Sequence, residues 1–189
     1  MSTRAESASA TSERILDAVT ELFWERPTDQ VVLRDVAERA NVTVQTVLRK
    51  FGGKDALLAA AADRAMSRTD AERAVSPGDL ASAIDVLLDH YESSGERVLR
   101  LLAEEQSSPT LGQLAERGRE LHRDWCRRVF AETLGTLTGV ARDRRQAQLV
   151  AVCDVYTWKL LRLDAGLSRR QTGIALHELL GPLLGTPAS

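Results

Sequence analysis

The chain has 189 residues, 43% of them hydrophobic, and a formal net charge of −2. That is enough apolar content for one large or two small domains, without the overall basic character that draws a protein to nucleic acid. No apolar run approaches the ~20 residues needed to span a membrane, and two cysteines, Cys126 and Cys153, are too few for a disulfide framework. The N-terminus lacks the apolar core of a signal peptide, so a cytoplasmic protein without cofactors is expected. Strand signals are nearly absent, the β-branched approach Gln30–Leu33 excepted, and the fold class expected is all-α.

Residues 1–10 are small and polar and are expected to form a disordered tail. Residues 12–25 then place Ile15, Leu16, Val19, Leu22 and Phe23 at helical spacing, with Ser12 as N-cap. The most informative stretch is 33–54, LRDVAERANVTVQTVLRKFGGK. Val36, Ala37 and Ala40 share one face of a short helix. Asn41 ends that helix, because Asn tolerates the left-handed conformation that a helix stop requires. Val42 anchors the turn, and Thr43 caps a second helix that buries Val47 and Phe51. This is the layout of a helix-turn-helix, which sets its second helix in the major groove of DNA. An ordinary helical hairpin with a solvated face has the same spacing. Residues 54–66, KDALLAAAADRAM, form a third helix. The window 31–54 holds five basic residues against Asp35 and Glu38, a local charge of +3.

ILDAVTELF, RDVAERANVTVQTVLRKF and KDALL, in that order, resemble the DNA-binding domain of the TetR (tetracycline-repressor-type) family of transcriptional regulators. The resemblance covers residues 11–60 at motif level. It implies that Thr43 caps the recognition helix, that Val44 and Gln45 face bases, and that Thr46 lies near the DNA backbone. Arg49 lies on the same exposed side, Lys50 and Lys54 face phosphates, and Arg34 reaches a base or a phosphate. The chemistry is apt: Gln can pair bidentately with adenine, a valine methyl packs on a thymine methyl, and cations neutralise phosphates. Leu48 departs from the family, which usually has a phosphate-binding tyrosine there. Lys50 replaces an aromatic or His, Val44-Gln45 a Lys-Gly pair, and Gly52-Gly53 a Pro-containing turn. Val31 and Val32 stand where the family often has Thr, which leaves Gln30 or Asp29 as the expected cap of the first helix of the motif.

A boundary is expected at the helix-breaking Val75–Asp79 (VSPGD), with Asp79 capping the next helix. The domains expected are therefore 11–75, a three-helix DNA-binding domain, and 76–189, an effector-binding and dimerisation domain, with about nine helices in all. Helices are expected at 79–94, 96–105, 110–136, 142–164, ended by Gly166, and 168–184, capped by Ser168. The last two are apolar on more than one side, which favours a partner helix. The family resemblance implies a homodimer through these two helices, reading a palindromic operator. Candidate dimer residues are Val155, Trp158, Leu161, Ile174, His177, Leu180 and Leu184, with burial inside the monomer as the competing reading.

The resemblance also implies an effector pocket among the middle helices. Its candidates are Leu87, Tyr91, Leu102, Gln106, Leu121, His122, Trp125, Cys126, Val129, Cys153 and Tyr156, each of which could equally be plain core. Trp125 and Tyr156 combine an apolar body with a polar tip. Scarce charge on the inward faces suggests a small, largely apolar effector. His122 and Cys126 are four apart and Cys153 could join them on zinc, but a His and a Cys on an apolar stripe are usually core, and no metal is expected. The sequence contains no phosphate-cradling loop, nucleophile elbow or HExxH, so no enzyme is expected. The function expected is a DNA-binding regulator, a repressor released from its operator by a small molecule. The alternatives are a helical interaction protein with impaired DNA binding and a regulator without a ligand.

Overall fold

The computed structural model describes residues 2–185, with side chains from Glu6 onward. The described residues form ten α-helices and no strand. The chain divides into two compact units, residues 1–67 and 68–189, and the division falls inside a helix rather than at the Pro-Gly loop.

The first unit contains α1 (Ser2–Glu25), α2 (Leu33–Arg39), α3 (Val44–Phe51) and most of α4 (Lys54–Glu72). Ile15, Leu22, Val36, Val47 and Leu57 are fully buried at its centre. Ala37 and Ala40 are small enough to let α2 approach its neighbours closely. The expected tail over 2–10 is instead the opening of α1, because nothing in ESASAT breaks a helix and Ser12 does not stop one. Ser12 is interior to the helix, and its Oγ donates to the carbonyl of Ala8 at 3.1 Å. Met1 lies outside the described residues. Neither Asp29 nor Gln30 caps α2: the N-cap is Val32, extended and without a side-chain hydrogen bond, after a 3₁₀ turn at Thr28–Gln30.

The second unit contains α5 (Leu80–Glu104), α6 (Pro109–Val129), α7 (Ala131–Gly135), α8 (Gly139–Val152), α9 (Val155–Trp158) and α10 (Arg169–Leu184). Asp79 caps α5 by accepting from the Ser82 amide at 3.0 Å, and Ser168 with Gln171 forms a capping box on α10. The expected helices 79–94 and 96–105 are one helix. Gly95 does not break it but sits buried where a Cβ would meet the Trp158 ring at 2.5 Å, so the glycine admits the indole. The expected helix 110–136 is interrupted at Phe130.

The expected helix 142–164 is interrupted more consequentially. α8 ends at Val152, Cys153 leaves the helix, and Asp154 caps α9 by accepting from the Tyr156 amide at 2.9 Å. A wider π-helical segment then runs over Lys159–Asp164. The break and the wide turn rotate the side chains around the axis, so Val155 and Trp158 join the core while Tyr156, Leu160 and Leu163 are exposed.

Candidate DNA-binding surface and the core of the second unit

Asn41 takes φ 52°, the left-handed stop expected between α2 and α3. The Val42 amide donates to the Ala37 carbonyl at 2.9 Å, which closes the turn. Thr43 caps α3, its Oγ1 accepting from the Thr46 amide at 3.2 Å and lying 3.0 Å from the Thr46 hydroxyl. Val47 is fully buried, and the α3 residues Gln45, Leu48 and Arg49 are exposed. Leu48, 42% exposed, presents a bare apolar side chain among polar neighbours. The Arg34 side chain extends from α2, with Nε 3.8 Å from Asp35. Thr43, Gln45, Leu48 and Arg49 thus lie on one exposed face at the helix whose N-terminal amides also favour phosphate.

Three expected contacts are less available. Val44 is half-buried and packs on the core of the first unit. The Lys50 ammonium donates to the Ala8 carbonyl at 2.8 Å and to Ser12 Oγ at 2.9 Å. The Lys54 ammonium donates to the Thr28 carbonyl at 2.5 Å. Each lysine holds α1 or the loop before α2 in place, and must exchange those bonds to meet a phosphate. Arg39 is likewise engaged, with Glu25 and Glu21, and the guanidinium beside it keeps the Glu25 carboxyl below its ordinary range.

In the second unit the structure brings together Leu87, Tyr91, Trp125, Cys126, Val129 and Cys153 as closely packed core, with Leu102 against it. Leu121 is half-buried and His122 buried. The polar tips are already satisfied: the Tyr91 hydroxyl donates to the Cys153 carbonyl at 3.0 Å, and Trp125 Nε1 donates to the Arg73 carbonyl at 2.8 Å. Burial holds the Tyr91 phenol well above its usual range. Gln106 and Tyr156 are exposed and do not join this cluster, Gln106 because it follows the end of α5 and Tyr156 because of the break at Cys153. Cys126 Sγ lies 3.8 Å from His122 Nε2, and Cys153 belongs to the same buried cluster. No group of three metal-ligating side chains suited to an ion occurs among the described residues.

Of the dimer candidates, Val155, Trp158 and Leu180 are core, Leu161 and Leu184 pack partly against it, and Ile174 and His177 are exposed. The exposed large apolar side chains among the described residues of this unit are Val140 in α8 and, further along the chain, Tyr156, Leu160 (60% exposed), Leu163, Ile174 and Leu179.

Arg73 and His90 were not singled out from the sequence. Arg73 follows directly on α4, is only 4% exposed, and lays its guanidinium carbon 4.2 Å from the centroid of the Trp125 ring. One of its terminal nitrogens lies 3.4 Å from His122 Nδ1. Arginine only donates, so Nδ1 is the acceptor and His122 Nε2 carries the proton, facing the Val150 carbonyl at 3.3 Å. Glu72, Arg73, Val86, Asp89, His90 and Ser93 line a cavity of about 240 Å³. Burial, followed by the positive charge of Arg73, pushes the His90 imidazole down to about 4. No local signal sets Arg73 apart from the chain's other arginines, because its burial follows from how α5 and α6 pack around it.

A helix-turn-helix with an exposed recognition helix, joined to a separate helical domain, defines the architecture of a bacterial transcriptional regulator. The family model described as "Bacterial regulatory proteins, tetR family" matches residues 15–61. The match is confined to the helix-turn-helix region, and the chain as a whole has the fold of solved regulators of this kind. A transcriptional regulator from Rhodococcus sp. Rha1 superposes with a TM-score of 0.67 at 21% identity, covering 92% of this chain and 96% of that one. A tetR-family transcriptional regulator from Streptomyces coelicolor gives 0.68 at 19% identity, covering 92% and 79%. A TetR transcription regulator from Haloarcula marismortui gives 0.60 at 18% identity, covering 90% and 96%. No curated protein matches the chain by sequence. No helix among the described residues is long and apolar enough to cross a membrane.

Proposed function

We propose that this protein is a sequence-specific transcriptional repressor that binds a palindromic operator as a homodimer and is released by a small-molecule effector. The observation that carries the reading is the exposed face of α3, where Gln45 stands in the first turn beside the capped N-terminus and Arg49 in the last turn, both exposed, while Val47 fixes the helix to the core. Gln45 reads a base edge, Arg49 and Arg34 neutralise phosphate, and Leu48 packs on thymine methyl or sugar carbons. The dimer face is Tyr156, Leu160, Leu163, Ile174 and Leu179, an apolar patch that water would otherwise cover. A twofold dimer calls for half-sites about one DNA turn apart. The effector acts by binding one of two domain arrangements more tightly than the other.

A second reading, a helical interaction protein with impaired DNA binding, draws on the internal bonds of Lys50 and Lys54 and on Leu48 in place of a phosphate-binding side chain. Fluorescence anisotropy with the chain's own upstream DNA against a scrambled duplex, over a salt series, distinguishes the two. Preference for the native fragment with a negative log–log salt slope is expected of the regulator. Absence of preference here and in a selection from genomic fragments leaves the interaction protein.

A further inference from the structure

We propose that the cavity beside Arg73 is a binding site for a small organic monocarboxylate, with the Arg73 guanidinium as its anchor. Arginine stays charged at every accessible pH, and a buried charge without a counter-ion is among the most costly features a fold can carry. Arg73 is such a charge. It is almost wholly buried, its Nε has no hydrogen-bond partner, and no carboxylate lies within ion-pair distance of it among the described residues. Its polar and π contacts, the His122 imidazole and the Trp125 ring, are uncharged.

The nearby acids do not fill the gap. Glu72 pairs with Arg68 at 2.7 Å, and Asp89 pairs with Arg169 at 2.6 Å. Both carboxylates nevertheless line the cavity with Arg73. Their charge disfavours a dianion, so a monocarboxylate fits the site better than phosphate or a dicarboxylate. The guanidinium fork matches a carboxylate in shape as well as charge. His90 lines the same cavity as an uncharged imidazole, its ring nitrogens 3.4 and 3.5 Å from Ser94 Oγ, and Val86 supplies an apolar wall. An apolar cavity of about 150 Å³ accepts benzene, so the ≈ 240 Å³ here admits a ring or a short chain together with its acid group.

The site stands on its own geometry, whereas its role as the effector site rests on the regulator reading above. It also adds an acid group to the small, largely apolar effector expected from the sequence.

The test is calorimetric titration of the purified full-length protein with acetate, benzoate and octanoate, using benzamide and inorganic phosphate as controls. At least one carboxylate is expected to bind saturably, with benzamide and phosphate at least tenfold weaker. Arg73→Met should weaken the binding at least tenfold, and Arg73→Lys should restore part of it. Val86→Trp, which fills the cavity and leaves Arg73 in place, should abolish it and serves as the check if Arg73→Met folds poorly. The proposal is overturned if none of the three acids binds, if benzamide matches benzoate, or if Val86→Trp or a folded Arg73→Met binds as the parent does. Operator binding is measured separately. An acid that binds without altering DNA affinity supports the site and removes its effector role. A protein that binds no operator but does bind the acid supports the site and sinks the regulator reading.

Discussion

Replacing Arg73 by Met should stabilise the ligand-free protein, although it deletes every side-chain polar contact the residue makes. The losses are a cation–π contact at 4.2 Å, worth about 0.5–2 kcal/mol, and a long bond to His122 Nδ1 at 3.4 Å, worth about 1 kcal/mol including the acceptor left behind. The Trp125 Nε1 bond survives, since it ends on the backbone carbonyl of residue 73. Met follows the path of the arginine stem and regains about 0.3–1.5 kcal/mol from sulfur against the Trp125 ring. The gain is release from burying an uncompensated charge, a penalty of several kcal/mol. The balance favours the variant by about 1–3 kcal/mol, or several degrees in Tm for a protein of this size. Urea denaturation followed by tryptophan fluorescence measures it, with the denaturant slope checked for constancy. A loss of more than about 1 kcal/mol would refute the reasoning, because it would mean that the guanidinium is already compensated where it lies. With a saturating carboxylate the order should narrow or invert, since only the parent gains binding energy.

Gln45→Ala should weaken operator binding by about 1–3 kcal/mol at one base pair per half-site, without changing the slope of log affinity against log salt, because glutamine neutralises no phosphate; anisotropy across a salt series reads both. Leu160→Arg introduces charge into the exposed apolar patch without touching the core, and sedimentation should show a monomer with unchanged helical circular dichroism; a persistent dimer would place the interface elsewhere. His90, which faces Arg73, Glu72 and His122, is held down to about 4 from an ordinary 6.5, so between these values the unfolded chain binds the extra proton. Stability should therefore be full above about pH 6.5 and fall by about 1–3 kcal/mol as pH drops towards 4, and His90→Gln should flatten that part of the profile in urea titrations.

The helix-turn-helix was legible because its determinants are local. Asn41 stops one helix by its own backbone preference, Thr43 caps the next through an amide three residues on, and Val36, Ala37, Ala40 and Val47 mark the buried faces by spacing alone. The caps at Asp79 and Ser168 follow the same logic. The polar start of the chain was misjudged because composition does not distinguish a solvated helix from a tail when nothing nearby breaks the helix.

Composition and periodicity by themselves determined that this is an all-α protein, that its N-terminal helices have the layout of a helix-turn-helix, and that Gln45 and Arg49 lie on the exposed side of the second helix of that motif. Only the tertiary structure decided which apolar residues of the last helices stay outside. Cys153 and the π turn after Trp158 shift the register, so a stripe projected on an unbroken helix puts Val155 and Trp158 on the surface when they are core. Tertiary packing likewise ties Lys50 and Lys54 to carbonyls 42 and 26 positions away in the chain and buries Arg73 under Trp125 beside a cavity. Periodicity describes one helix at a time, whereas burial, charge compensation and pocket shape depend on segments remote in sequence that meet only when the chain folds.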